Sequence, residues 1–158
     1  MDKSAFLKKL NSGWPMRLHM LAKLPGAWFM RVSLQSCDGS TAVVKLPYSW
    51  RSQNPFNSIY FAAQCAAGEY STGVLALYAI HGEAPVSMLV TNVSSEYYKK
   101  ASQTVYFTCN EGDKVQEAVQ QTLSTGEPVL LKMTSTGRFA DGTEVSKVWI
   151  TWSFKRKG

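Results

Sequence analysis

Between Arg51 and Glu83 lie 31 residues with a single charged side chain, Glu69. A surface helix of that length carries several charges, so this span belongs inside the molecule, and the rest of the chain must be arranged to cover it. From Ser58 to about Ile80 the span is Ala-rich and proline-free, long enough for six helical turns, and His81-Gly82-Glu83-Ala84-Pro85 closes it. Its alanines and glycines (Ala62, Ala63, Ala66, Ala67, Gly68, Gly73 and Ala76) let neighbouring elements approach closely on more than one side.

What covers the helix is written in the flanking residues. Strand-like runs are expected at Trp28 to Ser36, Thr41 to Tyr48, Val86 to Tyr98, Ser102 to Asn110, Pro128 to Phe139 and Thr143 to Arg156. Turns at Cys37-Asp38-Gly39-Ser40 and Ala140-Asp141-Gly142 make hairpins. A polar helix is expected over roughly Asp113 to Leu123. Six strands with one long helix after the second describe an α+β domain whose antiparallel sheet has one apolar face to bury. All 158 residues are read as a single domain. In its first 25 residues, Phe6, Leu7, Leu10, Trp14, Leu18, Leu21 and Ala22 recur at helical spacing, with a break at Gly13-Trp14-Pro15 and a stop at Pro25-Gly26. That segment is expected to pack outside the sheet.

Charge and cysteine usage narrow the function. The net charge of +6 sits at the chain ends: residues 1 to 31 hold six Lys/Arg against Asp2, and Lys155, Arg156 and Lys157 follow, while residues 32 to 154 hold eight Lys/Arg and ten Asp/Glu. A slightly acidic body argues against a nucleic-acid partner. No run approaches the length of a transmembrane segment, and the first nine residues lack the apolar core of a signal peptide, so a cytoplasmic protein is expected. Cys37, Cys65 and Cys109, with His19 and His81, are too scattered for a zinc site, a disulfide framework or a local Ser-His-Asp set. No metal and no cofactor is called for.

Glu69 lies in a stripe of small residues, Ala62, Ala66, Gly73, Ala76 and Ile80, with no Lys or Arg on the helix to pair with. Burying an unpaired carboxylate costs several kcal/mol, and the usual outcome is a raised pKa and a group suited to acid–base work. A structural role, with Glu69 reaching solvent at a subunit edge or bonding loop amides, stands beside that reading. Asn54 lies fifteen residues upstream, at the mouth of the same helix.

The segment from Asn54 through Glu69 to Gly73 resembles the central-helix signature of hotdog-fold thioesterases, in whose phenylacetate-pathway-type branch an Asn precedes a helix Asp or Glu by the same interval. It is most similar to an uncharacterised bacterial branch of that superfamily. Val93 to Lys100, ending Glu-Tyr-Tyr-Lys-Lys, resembles the strand that follows the helix there. The resemblance implies a curved six-stranded sheet wrapped around the helix, and an acyl-coenzyme A thioesterase in which Glu69 is general base or nucleophile and Asn54 orients it. Backbone amides of Ser58, Tyr60 and Phe61 would polarise the thioester carbonyl; Tyr60-Phe61 stands where many relatives have His-Gly. Eight to eleven residues separate those amides from Glu69, roughly 12 to 17 Å of helix, so the two groups meet only across a two-fold axis. A homodimer is implied, with pairing of dimers into a tetramer left open. Ser87 and Thr91 are possible supporting hydroxyls, and Lys99, Lys100 and Arg138 possible contacts for the coenzyme A phosphates. A non-catalytic acyl-binding protein is the alternative, and a peripheral protein docking its basic segment 4–24 on anionic lipid a third.

Overall fold

The structure, a computed structural model, describes residues 2–158. Three helices open the chain: α1 (Lys3–Leu10), α2 (Trp14–Lys23) and α3 (Pro25–Phe29). The hairpin β1 (Ser33–Cys37) and β2 (Ala42–Leu46) leads to α4 (Phe61–Ile80), and then come β3 (Val86–Tyr97), β4 (Val105–Cys109), α5 (Gly112–Thr125), β5 (Val129–Arg138) and β6 (Glu144–Arg156). The sheet is antiparallel throughout, in the order β1-β2-β4-β5-β6-β3. It curves around α4, as the sequence led us to expect.

The first strand is shorter than its alternating pattern suggested. Pro25, read as a stop, begins a new helical turn, where its missing N–H costs nothing, and α3 takes up Trp28. The strand starts only at Ser33. The first hairpin turn is held by the Asp38 carboxylate, which accepts the Ser40 and Thr41 amides at 2.9 and 2.7 Å.

Helix α4 is buried on most sides because its residues are small. A methyl group on Gly68 would sit 2.7 Å from Val148 Cβ, so at this point the helix rests on β6 with no room for any side chain. Polar groups that the burial traps are used to tie helix to sheet. Ser71 Oγ lies 2.7 Å from Ser135 Oγ, Ser146 donates to Gln64 Oε1 at 2.9 Å, and Trp152 Nε1 donates to Thr72 Oγ1 at 2.9 Å. Phe107, Met133, Ile150 and Phe154 fill the concave side of the sheet.

The N-terminal helices lie against α4 and the β1 edge. Leu10 and Met20 are buried, Asn11 exchanges two hydrogen bonds with the Cys37 backbone, and Phe6 stacks on His81 with ring centres 4.0 Å apart. No helix among the described residues is long and apolar enough to cross a membrane.

Candidate active site

Glu69 projects from the middle of α4 on the side where the helix is not fully covered: Ala62, Cys65, Ala66 and Glu69 are half-buried, and Gly73 is closed over by Trp152. A Cβ at Gly73 would lie 3.4 Å from both Glu69 Oε1 and the Trp152 ring, which places the carboxylate beside the indole and shows what the absent side chain leaves room for. Among the described residues the carboxylate has neither a hydrogen-bond nor an ion-pair partner. Desolvation therefore pushes its pKa above the ordinary carboxylate value, as the charge pattern predicted. Neighbouring Tyr70 is pushed up to about 12, by burial first and by the Glu69 charge second, so its phenol stays neutral.

The helix start is sharper than the sequence showed. Three amides were expected there, but Ser58 N–H donates to Asn54 Oδ1 at 3.3 Å and Tyr60 N–H to the Ser52 carbonyl at 2.7 Å. Helix α4 begins at Phe61, and its N-cap Tyr60 supplies no capping side chain. The first internal bonds run from Ala63 and Gln64 to the Tyr60 carbonyl. That leaves the N–H groups of Phe61 and Ala62 without acceptors among the described residues, at the positive end of a 20-residue helix dipole. Tyr97 on β3 packs on this turn, its hydroxyl donating to the Phe61 carbonyl at 3.3 Å, with Cys65 Sγ also 3.3 Å away. Burial, then the Cys65 contact, holds the Tyr97 pKa at about 12.

Asn54 is spent on its own loop. Its Oδ1 accepts Phe56 N–H at 2.9 Å, Ser58 N–H and Ser58 Oγ at 3.1 Å, and no bond joins it to Glu69. Within one chain it shapes the approach to α4. Ser87 and Thr91 are placed away from the helix. Met88 and Val90 pair with the inward-facing Phe154 and Trp152, so Ser87 points to the outer face, where it donates to the Lys155 carbonyl. Thr91 sits in a bulge between Val90 and Asn92 and donates to the Thr151 carbonyl. After the bulge Val93, Ser95 and Tyr97 face inward. Arg138 is engaged by Glu144 at 3.1 Å, while Lys99 and Lys100 are exposed in the turn after β3. Trp152, Thr72 and Tyr97 carry no sequence signal that would have placed them at the site; Gly73, four residues after Glu69, did.

A separate apolar cavity of about 190 Å³ opens between α1, α2 and the next face of α4, lined by Phe6, Leu10, Met20, Tyr70, Val74 and Leu77 among others.

A curved antiparallel sheet in this strand order around one long helix is the hotdog fold of thioesterase-like proteins. The chain belongs to the family described as a domain of unknown function, DUF4442, whose model matches residues 14–154. Protein OLEI01261 of Chlorobaculum tepidum, of unknown function, superposes with a TM-score of 0.78 at 12% identity, over 98% of this chain and 97% of its own. A candidate thioesterase from Shewanella oneidensis gives 0.73 at 12% identity over 98% and 99%. Thioesterase HI1161 of Haemophilus influenzae gives 0.65 at 11% identity over 95% and 90%. No curated protein matches the sequence.

Proposed function

We propose that the chain is an acyl-thioester hydrolase, acting on coenzyme A thioesters as a two-fold homodimer. The observation that carries this reading is the pairing, on one helix, of a partnerless half-buried carboxylate with two unbonded amides at the helix start. Phe61 and Glu69 are eight residues apart, roughly 12 Å along the axis, too far to act on one carbonyl. Strand β3 offers the means of joining two copies: it is a 12-residue edge strand with Leu89 65% and Val93 47% exposed, and an edge of that length invites pairing. Antiparallel docking of two α4 helices then sets Glu69 of one protomer opposite Phe61 of its partner.

In such a site the Glu69 carboxylate takes a proton from water as the water oxygen attacks the thioester carbonyl. The Phe61 and Ala62 N–H groups of the partner's helix bind the oxyanion. When the tetrahedral intermediate collapses, the C–S bond breaks and the thiolate recovers the proton from Glu69, leaving a free acid and a free thiol. The Haemophilus influenzae neighbour, which shares the fold, bears the name of a thioesterase.

The test is thiol release from a panel of short, medium, long and aromatic acyl-coenzyme A thioesters, alongside sedimentation equilibrium. Turnover of at least one substrate and a mass of about twice 17.5 kDa, or a multiple of that, are expected. Stoichiometric acyl-coenzyme A binding without turnover would instead establish the acyl-binding alternative.

A further inference from the structure

Four cations from four separate segments converge on one side of the molecule. Arg17 comes from α2, Arg31 from the turn after α3, Lys45 from β2 and Arg51 from the loop before α4. They line two surface cavities, of about 330 and 200 Å³, that share Arg17 and Arg31. No Asp or Glu lines either cavity, and among the described residues none of the four side chains makes an ion pair or a hydrogen bond. A surface selected for stability and solubility intersperses the two signs, and like charges drawn together across the fold destabilise it.

Two further features belong to the same place. Arg51 lies over the rings of Trp50 and Phe29, 5.4 and 5.6 Å from their centres, which steadies the guanidinium and leaves its N–H groups unspent. Trp50 itself is 69% exposed. Arg31 adopts φ +62°, a left-handed conformation at a helix end where glycine is the low-strain choice, and an arginine stands there nonetheless.

We propose that this cluster binds the phosphates of a nucleotide-bearing thioester carrier, with the purine on Trp50. Guanidinium groups match phosphate oxygens, and an exposed indole beside them offers a stacking face. The loop carrying Trp50 and Arg51 is braced by Ser52, whose hydroxyl donates to the Pro47 carbonyl at 2.7 Å. The Ser52 carbonyl in turn receives the Tyr60 amide, next to the free Phe61 N–H. Trp50 and Arg51 thus stand on the same segment as the free amides at the helix start, while Arg17, Arg31 and Lys45 reach the cluster from other elements. Only the identity of the carrier rests on the thioesterase reading; the binding does not.

Titration with adenosine 3′,5′-bisphosphate, followed by calorimetry at low salt, tests the cluster without turnover. The wild type should bind, Arg31→Gln/Arg51→Gln should bind at least about tenfold more weakly, and Trp50→Ala should weaken the bisphosphate more than inorganic pyrophosphate. Arg31→Gly separates binding from folding: relieving the left-handed backbone should raise the melting temperature while affinity falls. In kinetics, the ratio of KM for an acyl-coenzyme A to KM for the same acyl group on phosphate-free N-acetylcysteamine should rise about tenfold in the double variant. Absence of wild-type binding, equal binding by the variants, or sedimentation with phosphatidylglycerol vesicles in place of bisphosphate binding would overturn the proposal. Bisphosphate binding by a protein that hydrolyses no thioester would uphold it and remove the hydrolase reading instead.

Discussion

Replacing Glu69 by Gln is expected to cut thioester turnover on the order of 10²- to 10⁴-fold while leaving the fold intact. The amide keeps the shape of the side chain beside Trp152 and Gly73 but cannot take a proton from water. Melting temperature should rise, because the substitution removes a desolvated charge that no neighbour compensates. The pH dependence has a defined sign. Desolvation raises the native carboxyl above its ordinary value near 4.5, so between the unfolded and folded pKa values the native state holds the proton more tightly. Wild-type stability therefore falls as pH rises through that window, and the Gln variant lacks the dependence. Activity runs the other way, since the base works only when ionised: kcat/KM should rise with pH through a midpoint above the ordinary carboxylate range. A variant as fast as wild type would make Glu69 a structural residue.

Phe61→Pro should be nearly as damaging, about 10²- to 10³-fold, for a different reason. Proline at the first helical position is well tolerated, and Tyr60 before it already has φ −60° and ψ 136°, the extended conformation a following proline requires. The substitution deletes one N–H and the Phe61 ring, which packs edge-on against Tyr60, and leaves the backbone path unchanged. Phe61→Ala is the control, because it removes the exposed ring and keeps the amide; it should retain most of the turnover. Equal losses in both variants would assign the effect to the ring.

The central helix and its carboxylate were legible because burial and charge are read directly from side-chain chemistry: 31 residues with one Glu among them cannot form a solvated helix face, and a lone carboxylate inside stands out against the small residues around it. The hairpins were legible because Asp38-Gly39 and Asp141-Gly142 are turn formers in any context. What was hidden depends on partners distant in sequence. Of the three amides expected at the helix start, Ser58 and Tyr60 are claimed by Asn54 and Ser52, so that Phe61 remains and Ala62 joins it, and a strand-like bridge between Gln53 and Ile59 holds that loop apart from the helix. Ser87 and Thr91 were expected as supporting hydroxyls, but only the pairing of Met88 with Phe154 shows that Ser87 turns outward, and the bulge between Val90 and Asn92 then shifts the alternation. Trp28 and Met30 alternate like a strand, yet Pro25 starts a helix that takes in Trp28, with Met30 as its C-cap. The cationic cluster is the extreme case, since the charge count put Arg17 and Arg31 in the basic N-terminal part and Lys45 and Arg51 in a slightly acidic body, and only the fold brings the four together.

The shared site is tested most directly by mixing two inactive proteins. Glu69→Gln lacks the base and Phe61→Pro lacks the amide, so a dimer built from one of each has one site with both lesions and one with neither. After subunit exchange at equal concentrations, half the dimers are mixed and half of their sites are whole, and about a quarter of wild-type activity should return. A mixture that stays as inactive as its parents, with exchange confirmed by a tagged subunit, would contradict a site assembled from two chains.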